Sequence, residues 1–210
     1  MIHTGAAVIK PETLNLLRRL QQDDRLTEHF LVGGTALALH YGHRHSIDLD
    51  LFTQLAFDEN ALEAYLQAAH DFNTTVKFAH TLMGFIGNVK VDFITHAYDL
   101  VVPLVHVEGM RLASTLDIGA MKLNAIGQSG QRQKDFYDMY FLLEHHSLAQ
   151  LLAAYEAKYP KSSPMIAARA LVYFDDINFA MEPPVLLRKV AFKEVQQRLE
   201  AAIYQADKVF

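Results

Sequence analysis

Three aspartates occupy two segments whose residue patterns predict β-strands. Asp48 and Asp50 alternate with apolar residues in the run 47–52, and Asp92 lies between apolar neighbours in a later run, 85–94. Because successive strand residues point to opposite faces of a sheet, Asp48 and Asp50 leave the same face. Like charges on one face repel and aspartate is disfavoured in strands, so folding alone does not explain the pattern. If the two strands are neighbours, the three carboxylates converge on one patch.

A patch of three carboxylates is suited to a divalent cation. Without a cation, mutual repulsion would raise the pKa of at least one carboxyl group. Hard cations such as Mg²⁺ or Mn²⁺ prefer oxygen ligands and remove that repulsion. Two such ions about 4 Å apart can activate an attacking hydroxyl and bind a triphosphate. Asp48, Asp50 and Asp92 are therefore predicted to be metal ligands in a phosphoryl- or nucleotidyl-transfer site.

A glycine turn supplies a candidate phosphate site. Gly33 and Gly34 follow the apolar run 30–32, and Thr35 is predicted to cap a helix over 36–41. A glycine turn at a helix N-terminus presents backbone N–H groups to an anion, and glycine leaves room for close approach. A plain tight turn explains the same residues. The combination of this turn with the acidic strand is a more specific signal than either motif alone. Thirteen residues separate Gly34 from Asp48, where the Asp-x-Asp pattern begins.

Further side chains are candidates for the same site, each with an alternative explanation. Arg44 and Ser46 directly precede the acidic strand, where Arg44 could contact a phosphate or offset the charge of the strand aspartates. Lys122 lies on a predicted helix with a buried stem, and its amino group could bind a triphosphate oxygen or be solvated. Asp135, three residues before Asp138, could contribute a carboxylate or complement the helix dipole.

Composition restricts the class of protein. The 210 residues are 51% apolar and 20% charged, which allows a sizeable core and excludes a disordered chain. Cysteine is absent, which excludes disulfides and thiolate metal sites. The net charge of −5 argues against general binding to duplex nucleic acid, although residues 110–134 carry a local excess of three positive charges. With no long apolar run and no secretory pattern at the start, we expect a cytoplasmic protein without a membrane partner.

The order of predicted elements indicates an α+β fold, with a mixed β-sheet flanked by helices and followed by a helical region. Strand and helix patterns mix in 1–113, the predicted core domain, and only helical patterns follow in 114–210. Ile47, Leu49 and Leu51 are predicted to face the core. The strands 74–79 and 85–94 are predicted to join near Met83 and Gly84, a hairpin is predicted at Glu108 and Gly109, and the later helices are placed at 115–126, 133–144, 148–159, 164–174 and 187–208.

Taken together, these motifs resemble the nucleotidyltransferase superfamily with the DNA polymerase β-type fold. Over about residues 28–145, the fuller pattern resembles the AbiEii/AbiGii toxin family. The segments that carry the resemblance are Gly33–Leu39, Arg44–Phe52, Val91–Phe93, and Lys122 with the run 134–138.

The resemblance implies roles for individual residues. The glycine turn and Thr35 would bind nucleotide phosphates, and the two aspartates of the first acidic strand would bind metal. Lys122 and Asp135 would be functional residues of the later helical motif. Asp92 matches the third acidic position of the wider superfamily, and Asp135 is the alternative third acid within the toxin family.

The expected activity is metal-dependent transfer of a nucleoside monophosphate from an NTP to an acceptor, with release of pyrophosphate. The resemblance implies the toxin of a type IV-like toxin–antitoxin pair that acts on RNA, with the acceptor end of tRNA as one candidate and an antitoxin protein as partner. Two alternatives share the acidic site. One is a small-molecule nucleotidyltransferase of the antibiotic-modifying type, and the other is a nucleotide-binding regulatory module without catalysis.

Overall fold

A computed structural model describes residues 2–210, and a mixed β-sheet lies at its centre. The described residues form seven strands, which are β1 (Phe30–Val32), β2 (Leu49–Thr53), β3 (Phe72–Phe78), β4 (Thr81–Ile86), β5 (Val89–Thr95), β6 (Val105–Val107) and β7 (Met110–Leu112). They pair in the order β3-β4-β5-β2-β1-β7-β6.

Helices flank the sheet and make up most of the chain after β7. Within the same described range they are α1 (Pro11–Gln21), α2 (Gly33–Tyr41), α3 (Glu59–His70), α4 (Thr115–Gln128), α5 (Gln133–Leu142), α6 (Leu148–Lys158), α7 (Pro164–Leu171) and α8 (Phe192–Tyr204). Several of them start with ordinary capping chemistry. Asp58 caps α3, Ser114 caps α4, and Ser147 forms a capping box on α6.

The register of the sheet fixes the position of the acidic strands. β2 runs antiparallel to β1 and parallel to β5, so it lies between them. Asp50 is the register partner of Val32 on β1 and of Asp92 on β5. Residues directly opposite each other on neighbouring strands share a face, so the two carboxylates leave the sheet side by side.

One hydrophobic core extends through both halves of the chain. It includes Leu31 and Leu51 from the sheet and Leu123, Phe136 and Leu199 from the later helices. Along the chain, β7 is the last strand and α4 is the first helix of the helical region. The change falls next to the predicted domain boundary at residue 113. The division into 1–113 and 114–210 stays a prediction. The predicted α+β fold is confirmed, and the hairpin turn at Glu108 and Gly109 is observed.

The predicted strand joint at Met83 and Gly84 is wrong. Both residues lie inside β4, which pairs with β3 on one side and β5 on the other. The turns lie instead at His80, with a φ of 55°, and at Gly87, with a φ of 58°. The apolar run 85–94 is thus two strands and a turn, because a turn of two residues scarcely interrupts the alternation of side chains.

Two further predictions need correction. Ile47 was expected in the core with Leu49 and Leu51, but its exposed fraction is 50% because β2 begins only at Leu49. The last helix was expected from residue 187, but it begins at Phe192. The residues before it are held by the backbone of the segment preceding β2, where Leu186 forms a bridge with Arg44.

Candidate active site

Asp50 lies at the centre of the candidate site. Val32, the last residue of β1, flanks it on one side and Asp92 on the other. Gly33 has a φ of +69°, and a Cβ added to it would lie 2.2 Å from Asp50 Oδ2. Only glycine combines this backbone conformation with the absence of a side chain. The glycine turn is therefore packed directly against the Asp50 carboxylate.

The Asp50–Asp92 pair carries an excess of negative charge. Burial raises the pKa of Asp50 and the charge of Asp92 raises it further, while Lys122 and Lys90 act in the opposite direction. Lys90 Nζ lies 2.5 Å from Asp92 Oδ2. Asp92 Oδ1 is buried without a hydrogen-bond partner among residues 2–210. The pair is therefore left with an acceptor oxygen that the protein itself does not satisfy.

Asp48 is partly buried just before β2, and Thr35 holds its backbone. The Thr35 hydroxyl hydrogen-bonds both the Asp48 carbonyl oxygen and the Ser46 hydroxyl, the latter at 2.8 Å. A carbonyl only accepts, so Thr35 donates to Asp48 and Ser46 in turn donates to Thr35. Arg44 Nη1 donates to Ser46 Oγ at 3.3 Å. These contacts form one chain of hydrogen bonds behind Asp48.

Thr35 does not cap α2, contrary to the prediction. The helix begins at Gly33, Val32 is its N-cap residue, and no side chain caps it. Thr35 is buried in the first turn, where its hydroxyl is used by the Asp48 backbone. Direct contact of Gly33, Gly34, Thr35 or Ser46 with a phosphate stays a prediction.

Arg44 pairs with an aspartate of α5 and not with those of β2. Its Nε and Nη2 donate to the two carboxylate oxygens of Asp138 at 2.7 and 3.0 Å. Gly34 provides the space, because a Cβ added there would lie 2.0 Å from Arg44 Nη2. This arrangement corrects the alternative in which Arg44 offsets Asp48 and Asp50 through an ion pair.

Asp138 is a fully buried anion that two cations and a histidine surround. Besides Arg44, Lys122 Nζ lies 2.7 Å from its Oδ2 and His43 Nε2 lies 2.9 Å from its Oδ1. Burial acts to raise the pKa of Asp138, but the charges of Arg44 and Lys122 outweigh it and hold the pKa well below its usual range. The predicted site omits Asp138, although its spacing of three from Asp135 on a predicted helix was an available signal.

Lys122 connects the buried anion to the surface of the site. Its Nζ also lies 2.6 Å from Asp135 Oδ1, and Arg132 Nε lies 3.4 Å from Asp135 Oδ2. Burial acts to lower the pKa of Lys122, but the charges of Asp135 and Asp138 outweigh it, so the net shift is upward. Lys122 is therefore a fixed cation whose charge also acts on Asp50.

Two clefts meet at these residues. The central cleft, about 340 Å³, lies between α4 and the face of β2 and β5 that carries Asp50 and Asp92. The side cleft, about 260 Å³, lies between the start of α5 and the segment 181–185, and Asp48 borders it. Arg132 lines both clefts. Other predicted site residues also line these clefts. Those of the central cleft are Gly33, Gly34, Lys122 and Asp135, and those of the side cleft are Arg44 and Ser46.

The acidic pair of the central cleft offers oxygen ligands to a divalent cation. No group of three or more histidine, aspartate or glutamate side chains is arranged to hold a metal within residues 2–210. Asp50 and Asp92 nevertheless lie side by side with a raised pKa on Asp50 and an unsatisfied buried oxygen on Asp92. A bound divalent cation would relieve the repulsion between the two carboxylates and take the free oxygen as a ligand. The two residues therefore fit such a cation.

One solved structure shows the fold class of the chain, and a second has a weaker likeness. A crystal structure from H. pylori, provisionally assigned as a nucleotidyltransferase, matches with a TM-score of 0.56 and covers 94% of this chain and 95% of that one, at 16% identity. An antigenic nucleotidyltransferase-like protein from Paracoccidioides brasiliensis covers 77% of this chain and 93% of that one, at 20% identity and a TM-score of 0.49. The chain has the nucleotidyltransferase fold.

Sequence comparison then defines the family. The family described as nucleotidyl transferase AbiEii toxin, type IV TA system, matches residues 15–207. The uncharacterized protein aq_aa25 of Aquifex aeolicus (strain VF5) is 32% identical over 177 residues, covering 80% of this chain and 84% of that protein. The chain belongs to the AbiEii toxin family of nucleotidyltransferases, which confirms the predicted resemblance and the predicted enzyme class. Among residues 2–210, no helix has the length and apolar character needed to cross a bilayer.

Proposed function

We propose that this enzyme transfers a nucleoside monophosphate from an NTP to a hydroxyl of an RNA acceptor. The observation that supports this most strongly is the register pairing of Asp50 with Asp92 beside the Gly33 turn, in a cleft that Lys122 also lines. A triphosphate must be positioned and its charge neutralised for transfer. This cleft combines the groups that do so, namely carboxylates, a fixed cation and a helix N-terminus.

The step itself is an in-line displacement at the α-phosphorus of the NTP. A bond forms between the acceptor oxygen and the α-phosphorus, the bond from that phosphorus to the bridging oxygen of the β-phosphate breaks, and pyrophosphate leaves. Asp92, whose buried Oδ1 has no hydrogen-bond partner among residues 2–210, would take the proton of the acceptor hydroxyl. Lys122 and the N–H groups at Gly33 and Gly34 would hold the phosphates.

Asp50 and Asp92 are the pair that would hold Mg²⁺ or Mn²⁺, and Asp48, which borders the side cleft two residues before Asp50, is the third predicted ligand. When bound, the ion would neutralise charge on the phosphates and the attacking oxygen. The raised pKa of Asp50 supports this assignment, because burial and the charge of Asp92 both oppose its ionisation when no cation is present.

An RNA acceptor is favoured by the side cleft. Arg132 and Lys134 line it next to Asp48, opposite the exposed apolar side chains of Met181 and Val185. Basic residues bind a polynucleotide backbone, and apolar side chains give unstacked bases a surface to contact. The family further supports a role as the toxin of a type IV pair, with an antitoxin as protein partner and the cytoplasm, where RNA and NTPs are present, as the compartment.

The deciding experiment supplies each α-³²P-labelled NTP in turn, with Mg²⁺, to the protein and total RNA. The expected result is label on RNA from the wild type and none from Asp48→Asn or from a reaction with chelator. Label on a small-molecule acceptor in a parallel cell extract would favour the antibiotic-type alternative. NTP binding without transfer to either acceptor would favour the regulatory module. Full activity of Asp48→Asn would refute the assigned role of the acidic strand.

A further inference from the structure

Along β2 and β5, the side chains that line the central cleft change from acidic to apolar. Asp50 and Asp92 form one register pair, and the next pair on the same face is Phe52 with Ile94. Two residues advance a strand by about 7 Å, so the apolar pair lies about 7 Å along the strands from the acidic pair. His96 comes next beyond β5 and also lines the cleft.

The far end of the cleft is aromatic and uncharged. The His96 ring lies 5.5 Å from the Phe52 ring and 5.8 Å from the Tyr159 ring, measured between centroids. His96 Nε2 is 3.1 Å from the Tyr159 hydroxyl. Burial and the charge of Lys158 lower the pKa of His96 to about 4, so its ring is neutral at pH 7. A phosphate would find no positive charge on this histidine.

A buried ion pair holds this end in place. Lys158 Nζ lies 2.9 Å from Asp117 Oδ1 and donates to the Asp99 carbonyl oxygen at 2.9 Å. Asp117 accepts from the backbone N–H groups of Val101 and Val102 at 2.9 and 3.2 Å. The pair thereby fastens the segment after β5 to α4 and α6. Neither residue lines the central cleft, and the transfer step does not use them.

We propose that Phe52, His96 and Tyr159 form a base subsite that binds the nucleobase of the donor NTP, with His96 reading the edge of the base. This inference rests on the proposed function, since it extends the same cleft from the phosphates to the base. One cleft with a charged end and an aromatic end matches a ligand with a charged triphosphate and a flat ring.

His96 has the chemistry to discriminate among bases. Its Nε2 is engaged by Tyr159, and its Nδ1 has no hydrogen-bond partner among the described residues. Whichever nitrogen carries the proton, Nδ1 offers a single donor or acceptor to the base. Lys158 and Asp117 are positioning residues, because together they fix the backbone segment that follows His96.

The test compares NTPs with inorganic tripolyphosphate, which has the phosphates but no base. Dissociation constants for the four NTPs and for tripolyphosphate are measured by calorimetry in Mg²⁺ buffer. His96→Ala is expected to weaken NTP binding about tenfold, the usual effect of losing an aromatic contact to a base, and to leave tripolyphosphate binding unchanged. His106→Ala, which removes an exposed histidine of β6, serves as the matched control.

His96→Phe separates stacking from edge reading and guards against loss of folding. It is expected to keep most of the affinity for NTPs and to change their order of preference. Equal losses for NTPs and tripolyphosphate in His96→Ala would overturn the base subsite, and an unchanged order in His96→Phe would overturn edge reading. Full NTP affinity in His96→Ala would overturn the inference alone, whereas a wild type that binds neither ligand would overturn the proposed function as well.

Discussion

Arg44 and Asp138, 94 residues apart in the chain, form a buried bidentate ion pair that ties the segment before β2 to α5. Both hydrogen bonds join an ionised donor to an ionised acceptor in the fork geometry that an arginine and a carboxylate favour. The pair stands behind the glycine turn, since Gly34 makes room for the guanidinium group. It connects the two halves of the site before any substrate is bound.

Asp138→Asn is expected to destabilise the protein by about 3 kcal/mol or more, because it leaves Arg44 and Lys122 buried without their shared counter-ion. The depressed pKa of Asp138 means that its ionised form stabilises the fold above its unfolded-state pKa, and that this stabilisation is lost as the pH falls towards the folded-state value. Urea unfolding at neutral and acidic pH measures both effects.

The matched control for that variant is Asp175→Asn, which removes an exposed carboxylate. It should leave the free energy of unfolding within about 0.5 kcal/mol of the wild type. Equal stability of Asp138→Asn and the control would show that the cations around Asp138 find other partners.

Asp50→Asn is expected to remove transfer and to raise the melting temperature at pH 7. The folded-state pKa of Asp50 is raised, so its ionised form destabilises the fold at pH values above the unfolded-state pKa. Removal of the charge relieves this cost, and each 1 kcal/mol gained raises the melting temperature by about 2–4 °C. The gain should shrink as the pH falls below the raised pKa, where the folded wild type is protonated, and should be gone below the unfolded-state pKa.

Calorimetric melts of both proteins across that pH range provide the measurement, with exposed Asp207→Asn as control. A lower melting temperature for Asp50→Asn at pH 7 would mean that Lys122 and Lys90 more than compensate the repulsion from Asp92.

Gly33→Ala and Gly127→Ala are expected to act in opposite directions. At Gly33, alanine meets both a φ of +69° and the Asp50 carboxylate at 2.2 Å, so stability and transfer should both fall. At Gly127, in α4, a Cβ meets no atom within 4 Å, so helix propensity should stabilise the protein by about 0.5–1 kcal/mol. Thermal melts and pyrophosphate release compare the two. Unimpaired transfer by Gly33→Ala would show that the turn does not bind the nucleotide closely.

Lys134→Ala is expected to weaken binding of the RNA acceptor more than binding of the NTP. Lys134 lines the side cleft but not the central one, so its loss should raise the KM for RNA and lower the salt dependence of binding by about 0.7 on a log–log scale. Lys161→Ala, at an exposed position, is the control. If Lys134→Ala raised only the KM for NTP, the side cleft would belong to the donor.

Much of the fold was accessible from local pattern. The alternation of apolar residues predicted β2 and β5, and the helical periodicity predicted that α4, α5 and α6 begin at residues 115, 133 and 148. The errors occur where local pattern has more than one solution. A two-residue turn at Gly87 leaves the alternation of 85–94 intact, and the early start of α2 at Gly33 depends on what packs against the turn.

The candidate site was only partly accessible in the same way. The spacing of Asp48 and Asp50 and the glycine pair mark the acidic strand and the turn from the sequence alone. The Asp138 cluster required the fold, because helical spacing from Asp135 does not show whether a carboxylate inside α5 faces solvent or two buried cations. His96 carried no motif at all, and its place in the cleft follows from the register of β2 and β5.

The sequence by itself determined the residue types, the short-range spacing and the family, since strand alternation, helical periodicity and glycine turns act within a few residues. Only the tertiary structure decided that Asp92 stands beside Asp50, that Arg44 belongs to Asp138, and that an aromatic end adjoins the acidic one. Those relationships depend on strand order and on packing between distant segments, and the free energy that selects them comes from burial of the whole core.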